Sequence, residues 1–307
     1  MVRASTLKAD VLLLFTAAIW GFAFVAQRVG MDHVGPFTYN GVRFALGGLS
    51  LVPLLWLGRG QPGPVYRPAG RGFLLAAGGA TGCVLFVAAS LQQVALLYTT
   101  AGKAGFITCL YVVIVPLFGL FWGRRPSPGT FAGALLATIG LYLLSVVGTL
   151  RMEYGDFLVL LSAFFWSAQV LMIAWLSPRM RPVVLAFYQF VVCAALCLAV
   201  AAWVEQPSWA GVRAAAVPIL YGGVLSVGVA YTLQVVAQRD AHPAHASILM
   251  SLEAVFAALG GWLILDEVLS ARGLAGCGLM LSGMLLSQLW ELRGRGRGAG
   301  GEARGSA

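Results

Sequence analysis

Apolar runs of about 20 residues recur along the whole chain and are separated by short polar connectors. A run of this length crosses a bilayer core of roughly 30 Å as an α-helix. The runs lack the alternating polarity of barrel strands, and lipid cannot satisfy open backbone groups, so helices are the predicted elements. The ten predicted spans are Asp10–Val29, Phe37–Leu57, Gly72–Leu97, Ala101–Trp122, Gly129–Val147, Phe157–Leu176, Val183–Val204, Ala214–Ala237, Ala244–Leu265 and Leu274–Leu292.

Composition agrees with an all-α integral membrane protein. Of the 307 residues, 60% are hydrophobic and 10% are charged, whereas a soluble domain carries about 25% charged residues. The first apolar run continues too far for a signal peptide and is interpreted as a retained helix. The five cysteines lie inside apolar runs without a CxxC pair. They are expected to be reduced structural thiols, and no metal and no cofactor is predicted.

Charge placement predicts the orientation of the spans. If the N-terminus is cytoplasmic, 14 of the 20 Lys and Arg residues fall in cytoplasmic connectors, 5 fall outside, and Arg43 lies within span 2. Positive charge collects on the cytoplasmic side, so both termini are predicted to be cytoplasmic, in a bacterial plasma (inner) membrane. The net charge of +9 is therefore topogenic, and no nucleic-acid partner is expected. Residues 293–307 are predicted to form a disordered basic cytoplasmic tail.

The chain contains an internal repeat with an offset of about 145 residues. The halves are predicted as residues 8–148 and 155–292, with five spans each. Equivalent residues are Asp10 and Asp156, Trp20 and Trp166, Arg43 and Gln189, Gln92 and Gln234, Gly133 and Gly276, and Gly140 and Gly283. Because five is odd, the second half must be inserted upside down relative to the first. Inverted repeats are typical of transporters; the alternative is a duplication without transport.

Five motifs, each at its expected span, resemble the drug/metabolite transporter superfamily in its EamA branch. They are Ala18–Phe24, Val42–Phe44, Ala104–Pro116, Leu252–Leu259 and Asp266-Glu267, the last standing where the family often has Gly-Glu. The likeness extends from Lys8 to about Trp290. It implies a ten-helix, EamA-like fold that exports amino acids, metabolites or drug-like solutes.

Two departures from the family pattern stand out. Ala254 occupies a position where the family often has Pro, which leaves the presence of a kink there open. Arg124 occupies a position where many first repeats carry Glu. Neither departure changes the family resemblance.

Two ionisable residues inside spans are candidates for function, because charge within a membrane is costly. Arg43 either snorkels or bonds a neighbouring helix, or its fork of donors binds an anionic substrate group. Glu253 in span 9 either couples transport to protons or bonds a neighbouring helix as a neutral acid.

Amides and aromatic rings supply the remaining candidates. Trp20, Phe24 and Gln27 fall on one helix face at i, i+4 and i+7. Such groups either bind a zwitterionic or aromatic solute or bond helix to helix. The predicted substrate-contact residues are Trp20, Phe24, Gln27, Arg43, Gln92, Gln93, Trp166, Gln169, Tyr231 and Gln234. They are expected to meet where spans 1, 3, 6 and 8 converge.

The predicted function is secondary transport of a small solute through the lipid bilayer, most simply export of amino acids or related metabolites by alternating access. The sequence contains no HExxH, GxxxxGK[ST] or GxSxG motif, so no catalytic residue is predicted. The alternatives are a passive facilitator (uniporter) and a membrane enzyme or scaffold that does not transport.

Overall fold

A computed structural model describes residues 2–57, 70–118, 127–145, 152–176, 179–234 and 249–302. The structure is 87% helix, and no β-strand occurs within those ranges. The helices are α1 Val2–Gly30, α2 Pro36–Ser50, α3 Val52–Leu57, α4 Arg71–Ala95, α5 Ala101–Thr108, α6 Tyr111–Phe118, α7 Pro128–Ser145, α8 Tyr154–Leu176, α9 Pro182–Val204, α10 Trp209–Ala214, α11 Ala216–Leu220, a π-helix Tyr221–Ala230, α12 Glu253–Leu265 and α13 Ala271–Glu302.

Seven helical stretches of the described chain are long and apolar enough to cross a membrane. They are Val11–Gly30, Pro36–Leu57, Gly72–Ala95, Ala101–Phe118, Tyr154–Ile173, Pro182–Val204 and Ala216–Gln234. Three shorter apolar helices span Pro128–Leu144, Leu249–Leu265 and Ala271–Ser287. The protein is therefore an all-helical, multi-pass membrane protein, and the count of ten spans stays a prediction.

Local sequence explains where several helices begin. Pro36 and Pro182 occupy the first turns of α2 and α9, where a missing N–H costs nothing. The Thr100 side chain accepts a hydrogen bond from the Lys103 N–H and so caps α5.

Two of the apolar stretches are interrupted. A turn at Cys109–Leu110 separates α5 from α6. A turn at Leu252 separates helical residues 249–251 from α12. The second break occurs although Ala254 replaces the proline of the family, so that substitution does not restore a continuous helix.

The helices pack in pairs that match each other between the two halves. The α1·π-helix contact corresponds to α4·α8, and α2·π-helix corresponds to α4·α9. The α1·α12 contact likewise corresponds to the packing of α8 on α5 and α6. The α2·α9, α5·α12 and α7·α13 pairs each join two helices from equivalent places.

The α7·α13 pair meets along a glycine seam, formed by Gly133, Gly140, Gly276 and Gly283. A Cβ atom on Gly140 would lie 2.6 Å from the carbonyl oxygen of Gly276, and one on Gly276 would lie 2.6 Å from that of Gly140. Gly133 and Gly283 meet in the same reciprocal way. The helices are therefore antiparallel, and any side chain here would force their backbones apart.

The C-terminal helix extends beyond both ends of the predicted span Leu274–Leu292. Helix α13 continues past Leu292 to Glu302, although a disordered tail is predicted from residue 293. Residues 303–307 lie outside the described ranges, as do the connectors that carry Arg59, Arg67, Arg124 and Arg125.

Candidate functional site

A chain of amide hydrogen bonds joins α1, α4 and α8. The Gln92 Nε2 atom donates to Gln27 Oε1 at 3.2 Å. The Trp166 Nε1 atom donates to Gln92 Oε1 at 2.9 Å. Gln27 and Gln92 are 3% and 4% exposed. Three residues predicted from the sequence therefore meet, at the junction of spans 1, 3 and 6 where the substrate contacts are expected.

Gln93 adds an unused acceptor beside this chain. Its Nε2 atom donates to the backbone oxygen of Gln27 at 3.2 Å. Its Oε1 atom is buried and has no hydrogen-bond partner within the described residues, and the side chain is fully buried. Leaving such an acceptor unpaired costs about 1–3 kcal/mol.

A second pair of amides joins α8 to α9. The Gln169 Nε2 atom donates to Gln189 Oε1 at 3.2 Å, and both side chains are buried. Gln189 is absent from the predicted contact residues, although its equivalence to Arg43 in the repeat marks it. Tyr231 packs nearby, with its ring centroid 5.8 Å from that of Phe190.

Two hydrogen bonds join the π-helix to α1. The Trp20 indole N–H donates to the backbone oxygen of Ser226 at 3.1 Å. The Tyr221 hydroxyl donates to the backbone oxygen of Ile19 at 3.0 Å. π-Helical turns are rare and occur frequently at functional sites. The π-helix is thus hydrogen-bonded to the part of α1 that carries Trp20, a predicted contact residue.

Two predicted contact residues lie apart from the amide chain. Phe24 is 2% exposed and belongs to the apolar core that α1 shares with α5 and α12. The Gln234 Nε2 atom donates to the sulfur of Met250 at 3.6 Å. Neither residue touches the Gln92 amide through a hydrogen bond, and their roles in binding stay predictions.

Arg43 is 4% exposed and contacts aromatic rings. Its Nε atom donates to Asn40 Oδ1 at 2.9 Å. The guanidinium carbon lies 4.8 Å from the centre of the Phe44 ring and 5.7 Å from that of Tyr39. No carboxylate of the described chain lies within salt-bridge distance of it. The side chain therefore does not snorkel to water, which corrects one of the two structural readings above.

Glu253 lies at the first turn of α12, just after the break at Leu252, and is 8% exposed. Cys109 and Tyr111, at the break between α5 and α6, lie within electrostatic range of its carboxyl. Interrupted helices at membrane depth are typical of transporter binding and coupling sites. The two breaks thus face each other across a buried acid.

Charged side chains that are not among the predicted site residues gather at one end of the bundle, which we call the clamped end. Lys103 forms ion pairs with Glu153 and with Asp156, the latter at 2.6 Å between Nζ and Oδ2. The Thr99 hydroxyl also donates to the Asp156 carboxylate. Asp156 is fully buried and Lys103 partly so, and the cluster joins the α4–α5 connector, α5 and α8.

Two glutamates cap helices at the clamped end. Glu205 accepts hydrogen bonds from the N–H groups of Phe37 and Thr38, each at 2.8 Å. Glu267 accepts them from the N–H groups of Ala101 and Gly102, at 2.8 and 3.1 Å. Carboxylates stabilise helix N-termini through these donors and the helix dipole.

A cavity of about 340 Å³ also opens at this end, between the α1–α2 connector and residues 205–208. None of the predicted site residues lines it. Within the described ranges, no group of three or more His, Cys, Asp or Glu side chains is placed to hold a metal ion.

Comparison with known proteins gives consistent relatives. An uncharacterized transporter of Archaeoglobus fulgidus is 31% identical over 288 residues, which cover 92% of this chain and 86% of the relative. The uncharacterized transporter YoaV of Bacillus subtilis is 20% identical over 295 residues, covering 90% and 94% of the two chains. A solved crystal structure superposes with a TM-score of 0.64 at 21% identity, covering 92% of this chain and 98% of the other, which supports the fold.

The sequence model of the EamA-like transporter family matches twice, at residues 7–146 and 153–289. The two matches together cover nearly the whole chain. With several membrane-spanning helices and transporter relatives, the protein is a multi-pass membrane transporter. The chain belongs to the EamA-like transporter family.

Proposed function

We propose that this protein is a secondary transporter that exports amino acids or related metabolites by alternating access. Its ten spans form two inverted repeats, with both termini in the cytoplasm of a bacterial cell. Two halves related by an axis in the membrane plane can exchange conformations, which alternately exposes a central site to either side.

The observation that carries this proposal is the matched packing of the two halves. The α1·π-helix and α4·α8 contacts are equivalent under the repeat, and so are α2·π-helix and α4·α9. The antiparallel glycine seam of α7 and α13 supports an axis perpendicular to the helices. A passive scaffold gains nothing from such symmetry.

The substrate site is assigned to the amide chain of Gln27, Gln92 and Trp166, with Gln93 beside it. Amide groups on three helices offer both donors and acceptors to a polar solute. Binding sites are mostly apolar with a few placed polar groups, and the Trp166 ring together with these amides fits that description.

Topology and direction are tested first. Reporter fusions after Arg124 and after Arg151 are expected to lie on opposite sides of the membrane. Cells that overproduce the chain are loaded with a panel of amino acids and nucleosides, and faster efflux of an amino acid is expected. Reporters on one side contradict the ten-span arrangement, and unchanged efflux of every amino acid contradicts the export proposal.

Glu253 is proposed to couple transport to protons, because it is a buried acid at facing helix breaks. Replacing it with Gln removes the titratable group at nearly constant shape. In proteoliposomes, Glu253→Gln is expected to lose the stimulation of transport by a pH gradient while it keeps counterflow. Glu153→Gln, which removes an acid that is 48% exposed, is the matched control.

The passive facilitator remains the competing function and is separated by the same measurement. A wild-type protein that equilibrates its solute with no response to the gradient is a facilitator. If Glu253→Gln keeps full gradient-driven accumulation, the coupling role of Glu253 is wrong although transport stands.

A further inference from the structure

Arg43 is a permanent charge buried without a counter-ion in the described chain. Its guanidinium contacts two rings and Asn40, and the thiols of Cys193 and Cys197 on α9 are also its neighbours. No described carboxylate lies within salt-bridge distance. Glu205 acts at the start of the same helix, but its two oxygens already accept from the N–H groups of Phe37 and Thr38. A buried charge is normally paired, so this arrangement is incomplete by itself.

The second half of the molecule shows that the helix crossing does not require this charge. Gln189 occupies the equivalent position in α9, where a Cβ on Gly82 of α4 would lie 3.1 Å from the Gln189 backbone oxygen. On the first side, a Cβ on Gly223 of the π-helix would lie 2.9 Å from the Arg43 backbone oxygen. Close packing of the same kind is thus achieved with a neutral side chain, and packing alone does not explain an arginine.

Asn40 connects Arg43 to the amide chain. While its Oδ1 atom accepts from Arg43, its Nδ2 atom donates to the backbone oxygen of Ala89 at 3.0 Å. Gln93 follows Ala89 by four residues and lies on the same face of α4. The Gln93 backbone therefore lies one helical turn, about 5.4 Å, further along α4 than the residue to which Asn40 bonds, and its buried Oε1 acceptor has no partner within the described residues.

We propose that Arg43 and Gln93 together recognise the backbone of a zwitterionic amino acid. The Nη atoms of Arg43 bind the carboxylate, and the Oε1 atom of Gln93 accepts from the ammonium group. Asn40 positions the guanidinium by holding Nε. This inference rests on the proposed transport function and gives its site a substrate class.

Access to this site comes from movement of the π-helix. Both recognition groups are almost fully buried, so helices must separate for a ligand to reach them. The π-helix packs directly on Arg43, since a Cβ on Gly222 would lie 3.3 Å from Arg43 Cδ. Its equivalent, α4, is α-helical throughout its length.

The test uses the purified full chain and three probes. L-Phenylalanine carries both charged groups, 3-phenylpropionate has only the carboxylate, and phenethylamine has only the ammonium. Binding is measured by thermal shift in detergent and by competition of counterflow in proteoliposomes. The wild type is expected to prefer L-phenylalanine to either fragment by about tenfold or more, as expected when a charged contact is lost.

Two variants separate the recognition points. Arg43→Gln is expected to lose the preference for L-phenylalanine over phenethylamine, and Gln93→Met the preference over 3-phenylpropionate. Arg43→Lys keeps the charge without the fork and reduces the first preference without abolishing it. Arg28→Gln, which removes an arginine that is 38% exposed, is the control and leaves both preferences unchanged.

The melting temperature without ligand gives an independent readout. Removing an uncompensated buried charge is expected to raise the melting temperature of Arg43→Gln by about 2–4 °C. A lower melting temperature, or an unchanged preference for L-phenylalanine, overturns the inference. If the wild type transports only solutes that are not zwitterions, the inference is wrong and transport stands. If it transports nothing, the melting temperature and thermal shifts still decide about Arg43.

Discussion

Two cations of the first half, the partly buried Lys103 and the buried Arg43, have opposite surroundings. Lys103 lies at the clamped end and forms ion pairs with Glu153 and with Asp156. Arg43 is the eighth residue of α2, and its neighbours are the Asn40 amide, two aromatic rings and the thiols of Cys193 and Cys197, with no carboxylate of the described chain in salt-bridge distance. Both charges are costly to bury, but only the first is neutralised by the protein itself.

We propose that this difference separates a structural charge, Lys103, from a functional one, Arg43. The partners of Lys103 come from α8 and the residue before it, so its pairing joins two halves of the chain. An arginine that the fold leaves without an anion is available to a ligand that supplies one. Pairing, more than burial, indicates which intramembrane charge belongs to the site.

The largest expected effect tests the paired cation. Asp156→Asn leaves the Lys103 ammonium with only a half-exposed partner, and we expect the free energy of unfolding to fall by about 3–5 kcal/mol. Glu153→Gln removes that exposed partner and is expected to cost less than about 1 kcal/mol. Denaturant titration in detergent measures both. Equal losses would mean that burial of Asp156 contributes nothing, and the comparison with Arg43 would fail.

An intermediate effect tests the crossing beside Arg43. Gly223→Leu places a side chain against the Arg43 backbone oxygen and Leu46, and we expect it to lower the free energy of unfolding by about 1–3 kcal/mol. Gly79→Leu on α4 is the control, because a Cβ there meets no atom within 4 Å. Thermal melting of the two variants measures the difference. If they melt alike, the π-helix does not pack on Arg43 as described.

The smallest expected effect concerns the backbone conformation of Asp266, the residue before the helix-capping Glu267. Asp266 adopts φ 53° and ψ 27°, a left-handed conformation that favours glycine. Asp266→Gly is expected to raise the free energy of unfolding by about 0.5 kcal/mol, and Asp266→Ala to lower it by about 1 kcal/mol. Calorimetry compares the two, and a stabilising alanine would show that the conformation is not strained.

The conformation of Asp266 also explains a departure seen in the sequence. The family often has Gly-Glu where this chain has Asp266-Glu267. The structure requires a positive φ at the first residue and a helix-capping carboxylate at the second. The motif is therefore a turn with its cap, a role that the sequence alone does not indicate.

Much of the architecture is predictable because the bilayer imposes it. Apolar length identifies the helices of the described chain, and the spacing of Gly133, Gly140, Gly276 and Gly283 anticipates a contact that the structure contains. Hydropathy senses only the average of a run, however. It cannot distinguish the π-helix at Tyr221–Ala230 from an α-helix, since the mean hydropathy of a run does not depend on the number of residues per turn.

The candidate site is predictable only in part, because its partners are distant in sequence. Gln27, Gln92 and Trp166 are found by their polarity inside apolar runs, and they do meet. Phe24 shares a helix face with Gln27 but packs in the apolar core, because burial of its ring is favourable in any apolar environment. Gln189 is likewise a polar residue inside an apolar run, and its equivalence to Arg43 in the repeat marks it as a candidate.

The glycine seam has a consequence for how the two halves assemble. Reciprocal contacts of α7 and α13 bury the backbone of each helix against the other. We therefore expect two separately translated fragments, divided between residues 145 and 152, to find each other in the membrane and restore one working protein. The two helices carry glycines at the same seven-residue spacing, so their surfaces are complementary to each other. The halves are therefore expected to associate without a covalent connection between them.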